Sequence, residues 1–266
     1  MRINYIDNID NIDGLHALPD DSIDLTVTSP PYDNLRTYNG FSWDAENLIA
    51  ELYRVTKPGG VVVWVVSDAT VNGSETGTSF RQALAFMAAG FNLHDTMIWE
   101  KPTFTATGSL AVRYASVFEY MFVLSKGKPK TFNPIKDKPN KTVGKKKHGT
   151  IRQEDGSFKP MSSLGKATGE FGQRYNVWHM ATDKSRLGHP APFPYDLARD
   201  HIISWSNPGD IVLDPFMGSG TTAVACIDTG RNYIGFEISA EYCDIAKRRI
   251  ENEAQKSEEG EDAWML

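Results

Sequence analysis

Apolar residues along the chain fall into two spacings, short continuous runs and patterns of three and four. Residues 23–28 and 61–66 are runs that predict strands, and the second, Val-Val-Val-Trp-Val-Val, is apolar enough to be a buried central strand. Residues 3–6, 93–99, 117–124, 211–213 and 233–236 predict further strands, while 45–55, 78–89 and 221–227 carry apolar positions at helical spacing. Asp13-Gly14 predicts a turn ahead of a short helical piece at 15–18, and Lys57-Pro58-Gly59-Gly60 predicts a stop before the central strand. Gly90 and Gly230 close two of the helices. Strands that alternate with helices in this way predict an α/β fold, a doubly wound and mainly parallel sheet.

Residues 210–238 read as strand, loop, helix, strand, and the loop holds Gly218 and Gly220 with Ala223 three residues on. That spacing lets a backbone approach a nucleotide closely at a helix N-terminus. Asp214, at the end of the strand with Pro215 behind it, narrows the ligand. Its carboxylate would repel a pyrophosphate, whereas S-adenosylmethionine brings an ammonium and a sulfonium, and its own carboxylate suits a helix start. Glu237, ending the next strand, is placed to accept hydrogen bonds from a ribose diol. A helix cap and a surface acid are the plainer readings of these two residues. A nicotinamide-dependent oxidoreductase built on Gly218-Ser219-Gly220 is the rival enzyme.

The strand at 23–28 leads into Ser29-Pro30-Pro31-Tyr32. Two prolines each remove a ladder donor, so the strand must end there and display the loop at its carboxyl end, where open α/β sheets bind ligands. An exocyclic amino group on a base is a poor nucleophile because its lone pair is delocalised into the ring. Acceptors on its N–H groups draw that nitrogen towards sp³ character, and the Ser29 hydroxyl and Pro30 carbonyl suit the task. Tyr32 can stack on a base taken out of its helix. The alternative is a rigid strand-end turn with a buried tyrosine.

Charge adds a partner. The net charge is −6, yet Lys126 to Arg152 holds ten Lys or Arg against one acid, Asp137, a local +9 that leaves −15 on the rest. Residues 126–176 are rich in Lys, Gly, Pro, Asn and Ser, with Phe132, Phe158, Phe171 and Tyr175 interleaved. A stretch of about 50 residues without apolar periodicity is uncommon inside a compact domain unless it serves a function. Basic residues among aromatics suit nucleic acid, with phosphates neutralised by Lys145, Lys146 and Lys147 and positioned by Arg152; a solvated charged loop is the plainer reading. Neither Cys226 nor Cys243 has metal-ligand spacing, the six histidines form no metal motif, and no run is long enough to span a bilayer. The expectation is a cytoplasmic protein with no metal and no membrane partner.

Thr28-Ser29-Pro30-Pro31-Tyr32 and Asp214-Pro215-Phe216-Met217-Gly218-Ser219-Gly220-Thr221-Thr222 together resemble two motifs of the β-class DNA amino-methyltransferases, which act on cytosine N4 or adenine N6. Trp99-Glu100-Lys101, Phe118-Glu119-Tyr120, Ser125-Lys126, Val177-Trp178 and His189-Pro190-Ala191-Pro192-Phe193-Pro194 fall where similar family blocks lie. The resemblance implies a class I S-adenosylmethionine-dependent methyltransferase fold in permuted order. One catalytic domain would comprise 1–125 and 177–266, and 126–176 would be a target-recognition insert. It also implies base flipping in double-stranded DNA, direct attack of the amino nitrogen on the methyl group, and S-adenosylmethionine as cofactor. Ser29, Pro30, Pro31 and Tyr32 would be catalytic. Thr28, Asp214, Pro215, Phe216, Gly218, Ser219, Gly220, Thr221, Thr222, Glu237, His189, Pro190 and Phe193 would bind the cofactor. Neither cysteine follows a proline, as the nucleophile of a C5-cytosine enzyme usually does. Ser29 in the first motif position leans towards cytosine N4 over adenine N6. The resemblance further implies a prokaryotic or phage-encoded enzyme of the restriction-modification kind, and leaves open a homodimer and a DNA-binding homologue without turnover.

Overall fold

The computed structural model describes residues 1–31, 44–104, 110–182 and 193–262. They divide into two compact units, one of residues 1–133 and 176–266 and one of residues 134–175. The larger unit begins β1 (Tyr5–Asp7), α1 (Asn11–His16), β2 (Ile23–Thr28), α2 (Ala45–Val55), β3 (Thr56–Val66), β4 (Thr70–Val71), β5 (Ser74–Glu75), α3 (Thr78–Ala88), β6 (Asn92–Glu100) and β7 (Phe118–Ser125). The smaller unit holds β8 (Lys138–Pro139), β9 (Thr150–Arg152), β10 (Phe158–Pro160) and β11 (Phe171–Gly172). The larger one then resumes with β12 (Val177–His179), α4 (Tyr195–Trp205), β13 (Ile211–Asp214), α5 (Thr221–Asp228), β14 (Asn232–Phe236) and α6 (Ala240–Asp262).

Among the described residues one sheet has eight strands in the order β1-β14-β13-β2-β3-β7-β6-β12. Only β7 runs against its neighbours; the other pairings in this sheet are parallel. The α/β fold and mainly parallel sheet expected from the sequence are therefore present. β3 explains why both faces need cover. Alternation sends Val61, Val63 and Val65 to the face packed by α4 and α5, through Leu197, Ala198, Ile202 and Ala223. Val62, Trp64 and Val66 point to the opposite face, where Leu15, Leu48, Leu52 and Phe86 bring in α1, α2 and α3. Each such side chain contributes roughly 1.5–3 kcal/mol by leaving water.

Three local expectations change. Asp13-Gly14 lies inside α1, because Asp10 accepts from Ile12 N and starts the helix earlier. Gly14 is there for packing, since a Cβ would meet the Phe236 ring at 2.6 Å. Residues 57–60 do not precede β3 but form an irregularity within it, where the register against β2 jumps from Ile23–Thr56 to Leu25–Val61. The smaller unit is not structureless: β9 pairs with β10, β8 with β11, and Lys146 bridges Ala167. No helix among the described residues is long and apolar enough to cross a membrane.

Candidate active site

β13 enters the sheet from the far end of the sequence and lies between β14 and β2, with Val212 opposite Leu25 and Leu213 opposite Thr26. The carboxyl ends of β2, β13 and β14 are thus side by side, at the place where the two halves of the chain meet. Thr28 ends β2, and its hydroxyl donates to Asp214 Oδ1 at 2.6 Å, a hydrogen bond that spans 186 residues of sequence. Ser29 and Pro31 are half-buried and Pro30 is buried just beyond that anchor. Tyr32, His189 and Pro190 lie outside the described residues.

Asp214 is 1% exposed and tightly engaged. Besides Thr28, its carboxylate accepts from Thr222 Oγ1 at 2.6 Å and from Phe216 N at 3.0 Å. Burial drives its pKa up to about 6, against the opposing pull of Thr222, Thr28 and the Phe216 N–H. The residue expected to face a cationic ligand thus also ties β2 to the start of α5.

The loop after Asp214 is built tightly. Pro215 is buried and Phe216 half-buried, with the Phe216 ring edge-on to Trp64 at 6.4 Å. Gly218 and Gly220 have φ of 52° and 84°, a region that favours glycine. A Cβ on Gly220 would also stand 3.0 Å from that of Ala246 on α6. Glu237, just past β14, reaches back into the loop. Its Oε2 accepts from Gly218 N and its Oε1 from Ser239 N, both at 2.8 Å. Burial is the main cause raising its pKa, and nearby Asp214 adds to it.

Arg249 on α6 carried no signal in the sequence, where it is one more charged residue of a polar helix. Its Nη1 donates to Ser219 O at 2.6 Å, Ser219 Oγ at 3.0 Å and Thr221 Oγ1 at 3.4 Å. The Ser219 and Thr221 side chains are therefore held by α6. Phe193 is half-buried against the core on the α4 and α5 face. Farther along the sheet, Lys101 pairs with the buried Glu119 and sits over the Trp99 ring at 4.9 Å. Asp68, beyond β3, accepts from Ser79 N at 3.0 Å, which fastens the start of α3.

Both cysteines are buried and unbridged, and burial pushes each thiol up, Cys226 especially. A thiol held protonated in this way is a poor nucleophile. Among the described residues no group of His, Cys, Asp or Glu could hold a metal ion. In the smaller unit Lys145, Lys146, Lys147 and Arg152 are all exposed. Main-chain bonds such as Lys147 N to Lys166 O and Thr168 N to Lys145 O hold the backbone there. That unit carries ten Lys or Arg against four Asp or Glu.

The model of the N6/N4 DNA methylase family matches residues 23–248. The orphan methyltransferase M.BamHII of Bacillus amyloliquefaciens is 56% identical over 242 residues, 88% of this chain and 90% of its own. Among solved structures, the cytosine-N4-specific PvuII DNA methyltransferase has a TM-score of 0.66 over 93% of this chain and 86% of its own, and at 20% identity the likeness is one of fold. A putative DNA modification methylase of Thermus thermophilus, complexed with S-adenosyl-L-methionine, is 25% identical, with a TM-score of 0.63 over 94% of each chain.

Proposed function

This chain belongs to the N6/N4 DNA methylase family, and on that premise we propose that it methylates the exocyclic amino group of a flipped-out DNA base, cytosine N4, using S-adenosylmethionine. The observation that carries this reading is the 2.6 Å bond from Thr28 to Asp214. It couples the Ser29-Pro30-Pro31 turn to the glycine loop, so an acceptor for amino N–H groups and a nucleoside site are held as one piece. The Thermus complex supports the choice of cofactor; the base rests on Ser29 itself.

The residues fit that cofactor. Each Glu237 oxygen holds one backbone N–H and keeps further lone pairs for a ribose diol. Asp214 and Glu237 are buried carboxylates with raised pKa values, and a cation nearby would relieve both. Asp214 acts on it as a buried charge and a brace. Gly218 and Gly220 let the backbone come close, and Phe193, with His189 and Pro190, would complete the methionine end. When bound, S-adenosylmethionine supplies an electrophilic methyl group on its sulfonium. Ser29 Oγ and Pro30 O would accept hydrogen bonds from the target amino group, turning its lone pair out of the ring so that the methyl could pass to nitrogen as its bond to sulfur breaks, with the surplus N–H proton leaving to water. Tyr32 would stack on the base. Residues 126–176, with the smaller unit at their centre, would engage the duplex through Lys145, Lys146, Lys147 and Arg152.

The test is to express the protein in a host without these modifications, sequence the DNA with modified-base detection, and analyse its nucleosides by mass. N4-methylcytosine at one short sequence is expected. N6-methyladenine without N4-methylcytosine would overturn the choice of base, and neither product would overturn the activity.

A further inference from the structure

Every residue of β9 and β10 is exposed, Ile151 at 47% and Phe158 at 66% among them. A two-stranded ribbon with solvent on both faces buries too little to be explained by stability. Its turn is nonetheless built to one shape. Gln153 N donates to Ser157 O at 2.8 Å and Gly156 N to Gln153 O at 3.0 Å, and Gly156 has a φ of 84°. A tight turn followed by a left-handed glycine thus puts Glu154 and Asp155 at the tip. Asp155 is occupied there, accepting from Ser157 N at 2.9 Å and from Ser157 Oγ at 2.7 Å. Glu154 is exposed, and among the described residues its carboxylate has no hydrogen-bond or ion-pair partner.

The charges on this ribbon form a pattern. Arg152 is paired with Phe158 and Ile151 with Lys159, and directly opposed side chains share a face. Arg152 and Lys159 therefore stand on opposite faces, with Glu154 beyond both. Cation, acid, cation across the end of a ribbon is the complement of a B-DNA major groove, which has phosphates on each rim and donating amino groups on its floor. That groove is about 12 Å wide and about 8.5 Å deep and admits a two-stranded ribbon, and a strand carries the chain about 10 Å from Thr150 to Gln153. The minor groove, about 6 Å wide, is too narrow and offers an acid mainly other acceptors, and the major groove of an RNA helix cannot be entered. On a unit with ten Lys or Arg against four Asp or Glu, an acid at the tip weakens attraction to phosphate unless a donor meets it.

We propose that the β9–β10 ribbon enters the major groove tip first and that Glu154 selects a base pair there, accepting from the N4 amino group of a cytosine other than the one methylated. The proposal rests on the methyltransferase reading and deepens it, from a basic segment that neutralises phosphates to one residue that chooses a base. The target base itself is out of reach, because it leaves the groove when it flips. Cytosine suits a carboxylate because its major-groove edge offers a donor and no acceptor. Adenine sets the N7 acceptor beside its amino group, and guanine and thymine present acceptors, so each of these would repel Glu154. Arg152 and Lys159 would hold the two rims and discriminate nothing.

The experiment measures kcat/KM on duplexes in which each base pair of the methylated sequence, the target pair excepted, is changed in turn. It compares wild type, Glu154→Ala, Glu154→Gln and Glu170→Gln, the last removing another exposed acid of the same unit. Changing one particular C·G pair should cost the wild type about ten- to a hundredfold. Glu154→Ala should reduce that penalty to below about threefold while keeping the discrimination at every other position. Glu154→Gln should turn the preference at that one position towards adenine, whose N6 and N7 an amide can engage together. Glu170→Gln should match wild type throughout. S-adenosylhomocysteine should raise the melting temperature of all four proteins equally, as an exposed turn leaves the fold and cofactor site alone. A Glu154→Ala protein with wild-type discrimination at every position, a relaxation spread evenly over the site, or the same change in Glu170→Gln would overturn the proposal. Wild-type protein that methylates none of the duplexes would instead sink the methyltransferase reading on which it rests.

Discussion

Replacing Asp214 by Asn removes a charge from the junction of the two halves while keeping its shape. The carboxylate is buried, and burial lifts its pKa from an ordinary 3.8 to about 6. Because the folded value stands above the unfolded one, the folded state holds the proton more tightly. The destabilisation from this group therefore grows as pH rises from about 4 through about 6, and is fully present at pH 7.5. A shift of about two units corresponds to about 3 kcal/mol. The amide can keep most of the network. Its oxygen can accept from Thr28 and Phe216 N, and Thr222, whose hydroxyl lies 3.4 Å from Val27 O, can turn its proton there and accept from the new NH₂. That figure is already net of the hydrogen bonds from Thr222, Thr28 and Phe216 N, so what the amide gives up is the turning of Thr222 onto its longer contact with Val27 O, about 1–2 kcal/mol.

The net expectation for Asp214→Asn is a protein about 1–2 kcal/mol more stable at pH 7.5, a rise in melting temperature of about 3–6 °C. Melting curves from pH 4.5 to 7.5 are the assay, paired with calorimetric titration of S-adenosylmethionine. The advantage should fade towards pH 4.5, where wild-type Asp214 is itself neutral, and cofactor affinity should drop about tenfold, about 1.4 kcal/mol. Equal melting temperatures at pH 7.5, or an advantage unchanged at pH 4.5, would refute the account of a buried charge kept at a cost for its ligand.

Ser29→Ala should lower kcat by about 10²–10³ with cofactor affinity unchanged, read by single-turnover methylation and calorimetry; a variant that methylates at the wild-type rate would remove Ser29 from the chemistry. Reversing Lys145, Lys146 and Lys147 to Glu should weaken DNA binding and reduce the slope of log K against log salt by about 2–3, with cofactor binding intact. An unchanged slope would take these lysines out of the interface. Arg249→Met should free the Ser219 carbonyl and weaken S-adenosylmethionine binding by about three- to tenfold, as expected for losing one hydrogen bond to a charged group. Unaltered affinity would show that the loop holds its shape without α6.

The sequence displayed seven strands of the main sheet because a buried run carries its own signature, Val61 to Val66 most openly, but not the three-residue β12, which is too short to show a pattern. It displayed the glycine loop because Gly218 and Gly220 need conformations few other residues adopt. Strand direction was not legible: 118–125 reads the same whichever way it runs, and only its pairing shows it antiparallel to β3 and β6. The irregularity at 57–60 looked like a terminus because Pro and Gly punctuate in both settings. Asp214 was located by its place at a strand end, but what its carboxylate touches depends on Thr28, 186 residues away. Arg249 was out of reach for the same reason, its partners Ser219 and Thr221 being set by tertiary packing.

Separated motifs can act together here because of where β13 lies. β2 has one neighbour from its own half, β3, and one from the other, β13. Without β13 the backbone N–H and C=O groups along that side of β2 would lie at an open edge, and Thr28 would lose the partner that fixes the turn after it. The site therefore forms only when both halves have folded together, and what intervenes is freer to differ. The larger unit holds both ends of the intervening segment. Asn133 donates to Ile203 O and Ser206 O at 3.1 Å, and Asn176 to Thr96 O at 3.2 Å. A segment entered and left through two fixed points can change in sequence without loosening the junction of β2 and β13. On the proposed function, that separates the choice of DNA sequence from the transfer of the methyl group, and lets the first vary while the second stays the same.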